Sequence, residues 1–386
     1  MPVPSAPPTS PAEASNGKPS LSPQPASSRS VAWTVETLQG WHLPLLDDPA
    51  FLPLHPLLQR SLLLAVPERL ISAVAASRPL VPHALVAWQR DARGRQQALG
   101  LILSRRLNRS GSCWQIEHLR LALRAGTDPS APSRQELRAA LLREAIQRGR
   151  GAASWIAVAT SLDGDLLASL REQGFQPQRT ERLWRWSALN RSVPSPLPAP
   201  LELWPLNRHS APLLWHLEQA ACPAQLRQLL DRRVEDLLDQ SQGRGWMLVD
   251  PSRREAVAGA RLLSDHPAGG PYVEFTLHPG WSHLLGGPTE RLLHELISGD
   301  GCLWLPSEAG DGDRQAWLES LGAEACGEQV LMARSVWRRQ QLQPLRGSAR
   351  RRLAAVLEQL QPRRQPLPSP LQHHRAAAPN RSLVAR

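Results

Sequence analysis

Hydrophobic and polar positions along this chain predict the same succession of elements twice. In the first half a strand is expected near Val31 to Leu38, then helical spacing from about Pro56 to Ala76. Two strands follow, Ala84 to Arg90 and Gln96 to Leu107, around the turn DARGR. WQIEHLRLAL (Trp114 to Leu123) reads as a further strand, and in the helix after it Leu137, Leu141, Leu142, Ala145 and Ile146 share one face. SWIAVAT (Ser154 to Thr160) predicts a buried strand. A helix from Asp165 to Gln173 and strands around Gln176 and Arg182 to Trp186 close the half.

Val193 to Pro200 (VPSPLPAP) has neither period, and its prolines cannot donate to a hydrogen-bond ladder, so it predicts an extended linker. Beyond it the order recurs: LELWPL, helices over Arg208 to Ala220 and Ala224 to Asp239, the hairpin GWMLVDPSRREAVAGARLL, YVEFTLHP, a helix from Pro288, CLWLP, a helix from Asp313, and VLMARSVW. DGDLLASLREQG (Asp163 to Gly174) and DGDRQAWLESLG (Asp311 to Gly322) agree at Asp, Gly, Asp, Ala, Leu and Gly with a constant offset of 148. Gly100 with Gly259 and Glu117 with Glu274 are further candidate equivalences. A repeat of this length means duplicated domains rather than a solenoid of short units. The expected organisation is an N-terminal tail 1–30, a first domain 31–192, a linker 193–200, a second domain 201–338 and a basic tail 339–386. The fold class expected is α/β (α+β), each domain a mixed, mostly antiparallel sheet flanked by helices.

The net charge of +11 suggests a polyanionic partner until it is located. Residues 338–386 hold eleven Arg and the single acid Glu358, and residues 31–337 hold 32 basic and 32 acidic residues, so the expected folded part is neutral. The tail stretch RRRLAAVLEQL (Arg350 to Leu360) has an apolar stripe beneath a basic start. Docking on the chain's own surface, on an acidic partner or on RNA, and plain disorder, are all open readings for it. The four cysteines are scattered, with no C-x-x-C and no H-E-x-x-H, so no metal is expected. Asp163, Asp165, Asp311 and Asp313 lack the closing Glu of a calcium loop, and Asp165 and Asp313 read as helix N-caps. His373-His374 alone makes no metal site. Fourteen Trp, mostly in or beside predicted strands, read as core packing. The chain has no run of 18 apolar residues and no secretory pattern at its start, which leads to the expectation of a soluble, cytoplasmic protein without a membrane partner.

The order of strand, two helices, three strands, helix, strand, helix and two strands resembles the GNAT superfamily of acyl-CoA-dependent N-acyltransferases. The stretch from Ala152 to Trp186, with Gly174-Phe175 at a helix end and a closing hairpin, is its most recognisable part, while the second copy has Gly322-Ala323. The resemblance spans about residues 31–337, by pattern rather than by a diagnostic motif. It implies two tandem, degenerate copies, each with a gap between its fourth and fifth strands for the pantetheine arm of acyl-CoA. The pyrophosphate would then lie on backbone N–H groups at the start of the third helix, where unpaired donors and the helix dipole favour an anion. The family's Q/R-x-x-G-x-G/A loop is in neither copy. The first has the capping box Ser133-x-x-Glu136, which puts a carboxylate where the anion should go. The second has Gly286-Gly287-Pro288, so the resemblance points to His283, Leu284, Leu285, Gly286, Gly287 and Thr289 for acyl-CoA, acetyl-CoA above all. A plain helix-starting turn is the competing reading of those residues.

Amide formation needs a base for the amine and a leaving thiolate. Glu274, and less so Glu117, stand in the fourth strand, where the family often keeps that base. A Glu alternating with apolar neighbours also marks a strand's wet face. The family's usual acid, a Tyr four residues before the helix-ending Gly, is Leu170 in one copy and Leu318 in the other. The expected function is transfer of an acyl group, acetyl in particular, from acyl-CoA to a small-molecule or peptide amine. The alternative is an inactive member of the same fold that binds partners, its Arg-rich tail contacting RNA or an acidic protein.

Overall fold

A computed structural model of the chain describes residues 33–71, 82–90, 94–123, 125, 132–187, 196–241, 243–266, 268–297 and 301–335. Both expected tails, the start of the linker, the Arg350 to Leu360 stripe and His373-His374 lie outside them. The first half runs β1 (Trp33–Thr37), α1 (His55–Ile71), β2 (His83–Arg90), β3 (Gln96–Arg106), β4 (Cys113–Leu121), α2 (Arg134–Arg148), β5 (Ser154–Thr160), α3 (Gly164–Glu172) and β6 (Gln176–Ser187). The second runs β7 (Glu202–Pro205), α4 (Ala211–Ala221), α5 (Ala224–Leu230), α6 (Val234–Ser241), β8 (Gly245–Asp250), β9 (Glu255–Asp265), β10 (Pro271–Leu277), α7 (Gly287–Leu296), β11 (Cys302–Glu308), α8 (Gly312–Ser320) and β12 (Glu324–Ser335).

All twelve strands join one mixed sheet in the order β1-β2-β3-β4-β5-β12-β6-β11-β10-β9-β8-β7. The last strand of each half has therefore crossed into the other: β12 lies beside β5 and β6 beside β11. Ser154 to Thr160 pair with Ser335 to Gln329, and Cys302 to Glu308 pair with Ser187 to Glu181, which is the same register displaced by 148 residues. At the centre, where β6 and β12 run antiparallel, Glu181 faces its own equivalent, Gln329. The Gln329 side-chain amide donates to the Glu181 carboxylate at 2.9 Å. The closing hairpin expected from Gln176 to Trp186 does not form. Both edges of that segment are already satisfied by strands from the second half, so it stays one bulged strand of twelve residues.

Helices cover both faces. In the second half, α4 and α6 pack with Met247 and Val249, whereas α7 and α8 pack with Leu248, Ala258 and Ala260. A Cβ on Gly259 would sit 2.4 Å from Leu214 of α4, and one on Gly100 would meet Leu141 of α2 at 2.9 Å. These two glycines thus admit helices from different layers, and their expected equivalence does not hold. Trp114 and Trp155 are buried and stacked, as a core role requires.

Two other expectations are corrected. The helix expected from Ala224 to Asp239 is two, because Asp231 takes a left-handed conformation (φ 44°) that ends α5. That corner docks on the first half's β3–β4 turn. Asn108 donates to the Leu230 and Asp231 carbonyls, Ser112 to the Asp231 carboxylate at 2.6 Å, and the Arg109 guanidinium holds Asp239. The helix caps are Asp163 and Asp311, not Asp165 and Asp313. Their carboxylates accept from the Leu166 and Arg314 N–H groups at 3.0 and 3.1 Å, and the later aspartates fall inside the first turn.

Candidate functional site

Among the described residues parallel pairing is confined to two places, and in both it stops early. β4 meets β5 from Cys113↔Ser154 to Ile116↔Ala157, after which the strands part with Glu117 to Leu121 still to run. β10 meets β11 in register only at Tyr272↔Trp304. Bulges accompany the parting, on β4 opposite Leu103/Ser104 and on β9 opposite Pro271 to Val273. Each half thus has a gap between its fourth and fifth strands, the place the family resemblance implied.

The two gaps differ in what faces them. Glu274 lies on the α4–α6 face, where its carboxylate takes Arg232 at 2.7 Å and Arg261 still closer; the same two arginines hold Glu218 at 3.2 and 3.0 Å. Arg261 is fully buried and also donates to Gln240 at 3.0 Å. Burial alone would raise the Glu274 carboxyl, yet Arg232 and Arg261 hold it down to about 2. A carboxylate stabilised this strongly is a poor proton acceptor at neutral pH. In the first half Glu117 pairs with Arg105 at 2.7 Å. The equivalence of Glu117 with Glu274 extends to their cross-strand arginines. Beside Glu117, burial and then Arg120 and Arg105 lower the His118 imidazole to about 4. Leu170 and Leu318, at the expected acid positions, are both core residues. Tyr272 is half-buried, and burial pushes its phenol up to about 12.

At the start of α7, Gly286 takes φ 143°, a conformation that favours glycine, with open space where a Cβ would point. The buried Thr289 hydroxyl accepts from the Gly286 N–H at 3.0 Å and lies within hydrogen-bond distance of the Leu284 and Gly286 carbonyls. Leu284 is buried in the core and Leu285 packs against it, while His283 is exposed and stacks on Trp281. Pro288 brings no N–H, so Gly287 and Thr289 supply the backbone donors of the first turn, beside the Glu290 carboxyl. The predicted residues are thus gathered at one helix start, with Thr289 acting as its internal cap. At the start of α2 the Ser133–Glu136 box forms as expected. Ser133 N–H donates to the Glu136 carboxylate at 2.8 Å, and these Ser133 contacts lower that carboxyl.

In overall fold the chain is similar to GNAT acetyltransferases. A GCN5-related N-acetyltransferase from Sphaerobacter thermophilus is 12% identical over 78% of this chain and 95% of its own, with a TM-score of 0.48. A tandem GNAT protein from the clavulanic acid biosynthesis pathway is 13% identical over 79% and 98%, with a TM-score of 0.45. An acetyltransferase of the GNAT family from Colwellia psychrerythraea is 9% identical over 78% and 100%, with a TM-score of 0.38. No family model matches the chain, and no curated protein matches it. Among the described residues no helix is long and apolar enough to cross a membrane, and no group of three or more His, Cys, Asp or Glu is placed to hold a metal ion.

Arg314 is the residue that sequence reasoning missed. From the first turn of α8, the helix after β11, its Nη1 reaches the Phe275 carbonyl of β10 at 3.3 Å, and the guanidinium stands 5.1 Å over the Phe275 ring. The only signal was its place in DGDRQAWLESLG, where the first copy has Leu166.

Proposed function

We propose that this chain transfers an acyl group from a thioester donor to an amine, with acyl-CoA, acetyl-CoA in particular, as the donor. The observation that carries this reading is the parting of two parallel strand pairs in an otherwise laddered sheet. Beyond Ile116 and Tyr272 the fourth strand of each half has no register partner on the fifth strand. An amide-bearing arm laid between them completes such a ladder. Fit to the whole donor is divided between the copies. The first has an opening over Glu117 to Leu121 but a carboxylate, Glu136, at its helix start. The second has Gly287 and Thr289 at a helix start suited to a pyrophosphate, but Arg314 crosses its gap.

A second reading has a specific observation in its favour: both candidate bases are held in ion pairs, Glu274 by two arginines. On that reading the fold persists as a binding module without chemistry, and the Arg-rich tail engages RNA or an acidic protein. Titration calorimetry of the full chain with acetyl-CoA and with CoA separates the two. The transferase reading expects saturable binding of both and turnover with an amine library. No binding at millimolar ligand would leave the binding-module reading standing. A Gly287→Glu variant adds a carboxylate at the α7 start, and loss of binding there would locate the pyrophosphate.

A further inference from the structure

The repeat offset of 148 makes the two gaps comparable side chain by side chain. Leu166 and Ser169 of α3 correspond to Arg314 and Trp317 of α8, and the Glu117/Glu274 equivalence sets His118 against Phe275. In the second copy these larger groups interlock. The Phe275 and Trp317 rings stand 5.2 Å apart, Trp317 is buried, and the Arg314 Nε lies 3.2 Å from the Asp311 carboxylate that caps the same helix. The charges of Arg179, Glu308 and Glu181 also act on the guanidinium. In the first copy Ser169 is short and turns its hydroxyl back to the Asp165 carbonyl at 2.9 Å, and Leu166 has nothing polar to offer β4. On β5, just past the last parallel pair, Val158 remains 38% exposed.

We propose that Arg314 is a built-in occupant of the second copy's gap, so that the chain takes one donor arm, between β4 and β5 of the first copy. The guanidinium supplies to Phe275 the N–H donor that an arm's amide would otherwise bring. Its ion pair with Asp311 and the Phe275–Trp317 contact hold it there. The second copy then serves the first by lending it β12 as the strand beyond β5. This inference rests on the transferase reading, and its test is chosen to fail separately.

The test is titration of the full chain with acetyl-CoA and with S-acetyl-pantetheine, the arm without the nucleotide. The stoichiometry expected is one arm per chain. Val158→Trp, at an exposed position beside the first gap, should weaken binding by at least about tenfold. Arg314→Leu combined with Trp317→Ser, which gives α8 the side chains that α3 has at the first gap, should raise the stoichiometry from one to two. Circular dichroism of both variants establishes that they fold. Should the double variant not fold, Val158→Trp alone decides. Binding that ignores Val158→Trp, or two arms on the unaltered chain, would overturn the inference and leave the transferase reading intact. No uptake of either ligand would overturn both.

Discussion

Replacing Glu274 by Gln tests whether this carboxylate is a structural charge or a base. In the folded chain Glu218 and Glu274 balance Arg232 and Arg261 across one helix, the α5–α6 corner and two strands. A neutral amide in place of the Glu274 carboxylate would leave two guanidiniums, one fully buried, sharing the single carboxylate of Glu218. The cost follows from the carboxyl's displacement: about 2 in the folded chain against an ordinary 4.5 corresponds to about 3 kcal/mol, at about 1.4 kcal/mol per tenfold in proton affinity. That matches the general cost of breaking one partner out of a buried ion pair, about 3–5 kcal/mol. The sign is fixed by the direction of displacement. A depressed carboxyl contributes its full stabilisation above the unfolded value, and loses it as pH falls from about 4.5 through about 2. Urea unfolding of the wild type and of Glu274→Gln should therefore differ by about 3 kcal/mol at pH 7, with the difference shrinking steadily below pH 4.5. A variant as stable as the wild type at pH 7, yet slowed at least about a hundredfold in acyl transfer, would refute the structural account and restore Glu274 as the base.

Four further substitutions probe the frame around the gaps. Gly149→Ala places a Cβ 2.2 Å from Cζ2 of the buried Trp155 ring, and thermal unfolding should register a loss of about 1–3 kcal/mol. Asp163→Ala and Asp311→Ala each remove a helix cap, about 1 kcal/mol. The second should cost more in the same assay because it also frees Arg314 from its ion pair, and equal losses would count against the role given to Arg314. Gln329→Glu sets two carboxylates face to face at the centre of the sheet, with Arg179 at 2.6 Å able to balance only one. It should destabilise the chain by about 1–3 kcal/mol at pH 7.5 and regain much of this by pH 5, where a shared proton restores the donor, as urea unfolding at both pH values would show.

What the sequence disclosed depended on whether the cause was local. SWIAVAT became β5 with the bounds read from it, because a short β-branched and apolar run between polar turns has few alternatives. The Ser133–Glu136 box formed for the same reason: its hydrogen bonds span three residues. Asp-Gly-Asp offered two cap positions two residues apart, and composition alone could not choose between them. The break at Asp231 has neither Gly nor Pro to announce it; it is stabilised by Asn108 and Ser112, more than a hundred residues away. Strand exchange is invisible for a related reason. Alternation along Gln176 to Ser187 states that one face is buried, but not which strand lies alongside. Glu274 was legible as a carboxylate on a strand, whereas its two arginines come from a helix corner and a neighbouring strand and remove it from ordinary basicity.

The exchange also explains how the two gaps can differ so much within one frame. If each copy closed its own sheet, a change that filled one gap would leave that copy with no remaining task in the molecule. Here β12 is hydrogen-bonded along both β5 and β6, and β6 along both β12 and β11, so neither copy completes a sheet alone. The α5–α6 corner adds a second tie, from Asp231 to Ser112 and from Asp239 to Arg109. Those contacts use the four central strands and the corner, and none of them passes through a gap. Arg314 and Trp317 can therefore fill the second copy's gap without loosening the sheet, and the change from Glu181 to Gln329 at the centre removes the one place where strict symmetry would oppose two like charges.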